Sequence, residues 1–168
     1  MQQGKTARTQ GINNAIRTLP RDQFVEMKDP NLVLGRSIPP TQAVLDILRH
    51  ADIEPRHNVL QVGTGAGYLS ALLSKLASQV VTIEINPAIA RWAQSRFNRL
   101  ELANLVLRTG DGSLGAPDLG PFDRILVSSP RVANKDKLLQ QLTPGGFLLA
   151  LEESDNTTHT LARYLISE

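Results

Sequence analysis

Two hydrophobic rhythms alternate along the chain from Thr41 onward. Ala43, Val44, Ile47 and Leu48 recur at helical spacing, which predicts an amphipathic helix over 41–51. Thr41 follows two prolines and is placed to cap that helix. Asn58–Val62 is a short apolar strand that runs into glycines, and Tyr68–Ala77 reads as a helix. Gln79–Ile85 is a strand rich in β-branched residues. Pro87–Leu102 is a helix with proline suited to its first turn. Leu105–Thr109 and Asp123–Ser128 are two further strands, Asn134–Leu142 a helix and Gly146–Glu152 a fifth strand. Strands alternating with helices predict an α/β fold with a mostly parallel sheet covered on both faces. Right-handed crossovers make it doubly wound, and ligands in such sheets sit beyond the carboxyl ends of the strands.

Residues 1–40 carry no such rhythm. Pro20, Pro30, Gly35, Pro39 and Pro40 break the segment, which reads as an irregular extension with a short surface helix around Ile12, Ala15, Ile16 and Leu19. The expected organisation is one structural unit, with 1–40 as an N-terminal extension and 41–168 as the α/β domain. Lys5, Arg8, Arg17 and Arg21 precede the first acidic residue, but no apolar run follows them, so the segment does not read as a secretory signal. No stretch approaches the roughly 18 apolar residues of a membrane span.

Composition narrows the function classes. The 168 residues are 41% apolar and 20% charged, ordinary for a single globular domain. No cysteine is present, which excludes disulfides, thiol nucleophiles and cysteine-held metal. That fits a reducing compartment, and a cytoplasmic location is expected. A net charge of +2 gives no reason to expect nucleic-acid or membrane partners. His50, His57 and His159 lack ligand spacing and read as surface residues, so no metal is expected. Trp92 reads as a packing residue, and Arg91, Arg96 and Arg99 as a solvated helix face.

The segment Val59-Leu60-Gln61-Val62-Gly63-Thr64-Gly65-Ala66-Gly67-Tyr68 carries the strongest chemistry. An apolar strand meets three glycines at alternate positions, and a helix begins. Glycines let a ligand approach the backbone, and amides at a helix start favour electronegative groups. A nicotinamide site would want its third glycine where Tyr68 stands. Glu84 lies 21 residues beyond Gly63 at the end of the next strand, where an acid can accept hydrogen bonds from both ribose hydroxyls of an adenosine ligand. Asp111-Gly112 follows the third strand and could receive an adenine amine. Three features in order at three successive strand ends point to one cleft.

Val59–Tyr68, Val80–Ile85 and Gly110–Gly112 resemble the cofactor motifs of class I methyltransferases, and within that class the chain is most similar to protein-L-isoaspartate O-methyltransferases. Leu19–Val25 resembles that family's Pro-Arg-x-x-Phe segment, and Gly63–Tyr68 its Gly-Thr-Gly-Ser-Gly-Tyr loop. Gly110–Gly112, Pro121–Asp123 and Gln141–Gly146 also match. The resemblance implies a Rossmann-like fold and S-adenosyl-L-methionine, released as S-adenosyl-L-homocysteine. It implies a cofactor site of Gly63, Thr64, Gly65, Gly67, Tyr68, Glu84, Ile85, Asp111 and Gly112, and a protein or peptide acceptor bearing an isoaspartyl residue.

The acceptor half departs from the pattern. Where the family carries Gly-x-Thr-Ile-Ser-x-Pro, this chain has Gly35-Arg36-Ser37-Ile38-Pro39-Pro40-Thr41, so Pro39 stands at the serine usually placed by the methyl acceptor. The acid often found in the glycine-loop strand is Gln61, and the family would add a further strand after Glu168. An isoaspartyl carboxylate is ionised at neutral pH and needs no general base, only donors to hold it, for which Ser37 and Thr41 are the candidates. Two readings follow: an active carboxyl methyltransferase, or a cofactor-binding module with a regulatory or interaction role. Ser128-Ser129-Pro130-Arg131 lacks the second proline and the aromatic of the motif that amine methyltransferases of nucleic acids use. The sequence leaves the oligomeric state open.

Overall fold

The computed structural model describes residues 2–26, 28–29, 32–128, 134–155 and 158–166. Five strands form the predicted parallel array: β3 (Asn58–Val62), β4 (Gln79–Glu84), β5 (Leu105–Thr109), β6 (Phe122–Val127) and β7 (Leu142–Asp155). They lie in the order β5-β4-β3-β6-β7, so the chain reverses direction of travel across the sheet on either side of β3. The sheet is completed by β8 (Thr158–Leu165), which runs antiparallel along β7 and was not expected from the sequence. Alternate residues of each strand feed two apolar layers. Val59, Val80 and Leu126 join one, and Leu60, Val81 and Ile125 the other.

The first layer is covered by α2 (Thr41–Ala51), α3 (Tyr68–Leu76) and α4 (Pro87–Arg99), close to their predicted spans. It is also covered by α1, where the short surface helix expected around Ile12–Leu19 proves longer, with Ile12 and Ala15 buried rather than at the surface. This helix runs from Gln2 to Thr18, packs on α3, and buries Ile12 and Ala15 with Leu19 just beyond its end. Its sequence is polar, and Gly4, Gly11, Asn13 and Asn14 are weak helix formers. Tertiary contact supplies what propensity does not: a Cβ at Gly11 would stand 3.4 Å from Leu76, and Arg8 pairs with Asp52. Before α2 comes a tight hairpin, β1 (Leu32–Val33) with β2 (Arg36–Ser37), whose Leu34 and Gly35 both have positive φ.

Further corrections are local. Thr41 is the first helical residue of α2 rather than its cap. Pro40 takes the cap position with an extended backbone, and its carbonyl accepts from Val44 N–H at 3.2 Å. The second layer is covered by α5 (Lys135–Leu139), which is shorter than predicted because Leu142 already pairs with Phe122 in the sheet. Arg96 does not lie on a solvated face. It stacks 3.4 Å above the Trp92 ring, and the Trp92 indole N–H donates to Phe24 O at 3.0 Å. No described helix is long and apolar enough to cross a membrane.

His57, read from the sequence as a surface residue, is 5% exposed at the amino end of β3. Its Nδ1 accepts from the Glu54 backbone N–H at 3.0 Å, so that nitrogen carries no proton. Burial, with Arg124 adding to it, pushes the imidazole pKa below its ordinary 6.5. The folded chain therefore binds fewer protons here than the unfolded chain below that value, and this stability is lost as pH falls. Thermal melts should show the wild type losing more Tm than His57→Gln between about pH 7 and about pH 5. Parallel losses in the two proteins would show that His57 is not the group responsible.

Candidate active site

β3 is the central strand of the parallel array, and its carboxyl end opens into the glycine turn. Gly63, Gly65 and Gly67 all have positive φ, at 92°, 54° and 90°. The turn is tied down along its length. Gly63 N–H donates to Ile83 O at 2.9 Å, and Gly67 N–H to Thr64 O at 3.0 Å. Gly67 has a second constraint, since a Cβ there would stand 2.7 Å from the Phe97 ring. Gly67 does not line the cleft. It lets α3 leave the turn while packed on α4.

Glu84 closes the site from the neighbouring strand. Its carboxylate is 7% exposed and accepts from Gly65 N–H at 3.0 Å through one oxygen. The other oxygen accepts from Asn86 N–H at 2.9 Å. Asn86 in turn caps α4, its side chain accepting from Ala88 and Ile89 amides. One buried acid thus fixes the glycine turn and the start of the next helix. Ile85 beside it is 68% exposed at the rim of the cleft. Asp111 follows β5 and accepts from Ser113 N–H at 2.9 Å. That bond holds its carboxyl below the usual carboxylate range. Gly112 is packed under Val62, and a Cβ there would come within 2.5 Å of it.

These groups line one cleft of about 410 Å³, within the range of small-molecule sites. Of the residues predicted for the site, Ser37, Gly63, Thr64, Gly65, Tyr68, Glu84, Ile85, Asp111 and Gly112 line it, whereas Gly67 and Thr41 do not. Thr64 contributes backbone more than hydroxyl, because its Oγ1 lies 2.7 Å from Thr82 Oγ1 in a buried contact. Tyr68 is buried with its ring 5.4 Å from Phe24. Ser37 is exposed on β2 at the cleft mouth, and Thr41 is exposed on α2 outside it. Among the described residues no group of three His, Cys, Asp or Glu could hold a metal.

The residues 1–164 match the sequence pattern of the protein-L-isoaspartate(D-aspartate) O-methyltransferase family. The chain belongs to this family. A protein-L-isoaspartate O-methyltransferase of Dinoroseobacter shibae is 36% identical over 170 residues, covering 96% of this chain and 79% of the relative. One from Caulobacter vibrioides is 36% identical over 160 residues, covering 87% of this chain and 72% of the relative. In structure, the chain is similar to a Plasmodium falciparum protein described as a protein-L-isoaspartate O-methyltransferase in complex with S-adenosyl-L-homocysteine. That likeness has a TM-score of 0.78 at 18% identity, over 94% of this chain and 83% of the other.

Within this family member the departures acquire places. Pro39 lines the cleft, and its carbonyl accepts from Arg21 Nη2 at 2.8 Å. Gln61, standing where an acid is common, is 1% exposed and part of a neutral network. It donates to Gly63 O at 3.0 Å and accepts from Ser70 Oγ at 2.7 Å. Sequence reading missed Ser128, whose hydroxyl donates to the same Gly63 carbonyl at 2.7 Å. It also missed Arg21 as a cleft residue. Arg21 comes from a segment whose position depends on long-range packing, whereas Ser128 ends a predicted strand and carries no site signal of its own. Ser129, Pro130 and Arg131 lie outside the described residues, as do the side-chain surroundings of His159.

The turn separates two glycine roles that a stability measurement resolves. A Cβ at Gly65 would stand 3.7 Å from its nearest neighbour, so alanine there meets only the left-handed backbone penalty. At Gly67 the same penalty adds to a clash with Phe97. Urea unfolding should find Gly67→Ala less stable than Gly65→Ala by about 1–3 kcal/mol. Equal stabilities would mean that the α3–α4 contact is not what demands glycine at 67.

Proposed function

We propose that this chain uses S-adenosyl-L-methionine to methylate the free carboxylate of isoaspartyl residues in damaged proteins. The observation that supports this most is the placement of buried Glu84 against the glycine turn, in one cleft with Asp111. The cleft fits the group. Glu84 is an acceptor set for ribose hydroxyls, Asp111 for an amine, Ile85 and Gly112 for an aromatic ring, and the turn for close backbone approach. When bound, the cofactor supplies a methyl group on a sulfonium. Its transfer to a carboxylate oxygen would give a methyl ester and leave a neutral thioether, so no acid or base from the chain would be required.

The chain's own task is alignment and exclusion of water. No proton moves, so the reaction requires no histidine or lysine, and none lines the cleft among the described residues. The acceptor carboxylate needs donors at the cleft mouth. Ser37 supplies a hydroxyl there, whereas Thr41 lies outside the cleft. Pro39 supplies neither hydroxyl nor backbone N–H. The acceptor end is therefore poorer in donors than the pattern that it resembles.

Two measurements test this reading. Calorimetric titration with S-adenosyl-L-homocysteine should show binding to the wild type, weakened in Glu84→Ala by about 1.5–3 kcal/mol. Undiminished binding in Glu84→Ala would remove the acid from the site. In methyl transfer to an isoaspartyl peptide, Ser37→Ala should lower turnover and Pro39→Ser should raise it. One oriented donor is worth up to about 100-fold when it acts on the transition state. Turnover indifferent to both changes would mean that another group holds the acceptor.

A further inference from the structure

The cleft is electrically two-ended. Its acids, Glu84 and Asp111, stand at the ends of β4 and β5, on one side of the central strand. Its cations, Arg21 and Arg36, come from the N-terminal segments. They differ in what already holds them. Arg21 is engaged within the fold, donating to Pro39 O at 2.8 Å and lying 5.7 Å from the Tyr68 ring centroid. Arg36 is exposed, and its side chain forms no hydrogen bond or ion pair with a described residue. Its backbone is nonetheless fixed. Across the hairpin it pairs with Val33, which is fully buried. Leu34 at the tip has a φ of 48°, a costly conformation for a residue with a side chain. The Glu26 carboxylate holds that tip by accepting from Leu34 N–H at 2.7 Å. From there the chain runs inward. Residues 34–37 are exposed and Ile38 and Pro39 half-buried, and Ile38 Cγ2 lies 3.7 Å from where a Cβ at Gly65 would stand. Leu34–Pro39 is thus a fixed path from solvent to the glycine turn, with one uncommitted cation along it.

We propose that Arg36 is a specificity-determining residue for the acceptor, selecting isoaspartyl sites that carry an Asp or Glu side chain within two residues of the linkage. The inference rests on the methyltransferase reading and adds the class of sequence on which it acts. An acceptor whose isoaspartyl carboxylate lies beside Ser37 and Pro39 leads its flanking residues outward along the hairpin, past Arg36. Each extended residue advances about 3.3 Å, so one or two of them span the distance to the tip. A guanidinium there is always charged and offers a planar fork of donors that matches a carboxylate. Its position is set before the acceptor arrives, which lowers the ordering cost of binding. Residue 36 occupies a variable place in the Gly-x-Thr-Ile-Ser-x-Pro pattern, so the charge is a property of this chain rather than of the pattern. Because Arg36 is exposed, the selection is modest and falls with salt.

The test compares isoaspartyl peptides of one sequence with Glu, Gln or Lys placed on either side of the linkage in turn. Their binding to the full chain saturated with S-adenosyl-L-homocysteine is measured, and kcat/KM for methyl transfer in parallel. At low salt the wild type should favour Glu over Lys by about threefold or more at one flanking position or both. That ratio should fall toward one at about 1 M salt. Arg36→Gln should abolish the preference and Arg36→Glu should reverse it, with S-adenosyl-L-homocysteine binding as the check that both variants are folded. A wild type indifferent to flanking charge, or a preference for Glu that survives in Arg36→Glu, would overturn the role of Arg36 and leave the methyltransferase reading standing. So would an Arg36→Gln variant that weakens every peptide alike, since Arg36 would then hold the isoaspartyl carboxylate itself. A wild type that binds S-adenosyl-L-homocysteine but neither binds nor methylates any of the peptides would overturn the reading and the inference together.

Discussion

The structure depends on the contact between the Glu84 carboxylate and the Gly65 amide. β3 can end in a left-handed glycine turn only if something outside the turn holds it, because alternate positive-φ residues have no ladder of their own. Glu84 supplies that hold from β4, and its second oxygen sets the start of α4 through Asn86. The cleft lies between these two strand ends, so its shape follows from one buried acid. The same acid is the group to which the proposed function assigns the ribose hydroxyls. Fold and site are thus coupled at one side chain.

Beneath the turn the support is neutral. Gln61, Ser70, Thr82 and Thr64 form a chain of buried hydrogen bonds from β3 through α3 to β4. Each is nearly inaccessible to solvent, and a fully satisfied network in such surroundings rigidifies what it touches. Ser128 adds a second donor to the Gly63 carbonyl from β6. With Gln61 in place of an acid, Glu84 and Asp111 are the acids that line the cleft among the described residues. This sharpens the contrast between the acid-lined end and the arginine-lined end. Burial of Arg124 illustrates the opposite solution: its guanidinium donates to Ala51 and Asp52 carbonyls at the end of α2, where a cation complements the helix dipole.

The α/β core was legible because each element there is decided by its own residues. β3, β5 and α2 occupy their predicted spans, since apolar periodicity, prolines and glycines coincide at their boundaries. The cleft residues were legible for a related reason: strand-end glycines and acids are positioned by the strands that precede them. What was not legible depends on partners distant in sequence. α1 extends well beyond the short helix expected around Ile12–Leu19, through the polar residues 2–11, because α3 accepts its apolar stripe of Ile12 and Ala15. β8 carries no apolar run; it follows β7 through backbone pairing from Phe147↔Leu165 to Asp155↔Thr158. His57 is buried because Glu54 and the following turn enclose it, which no spacing rule reports. Arg21 reaches the cleft because the 3-10 turn after α1 is pinned by Phe24, 68 residues away in sequence from the indole that holds it.

The account reduces to a chemical claim: a donor cleft built on Glu84 faces an acceptor mouth suited to a carboxylate displaced from the normal backbone path. The most direct measurement is transfer of isotopically labelled methyl from S-adenosyl-L-methionine to two peptides identical except for isoaspartyl against aspartyl linkage. The account predicts base-labile label on the isoaspartyl peptide and little on its aspartyl counterpart. Equal labelling of both, or none on either by a protein that binds S-adenosyl-L-homocysteine, would contradict it.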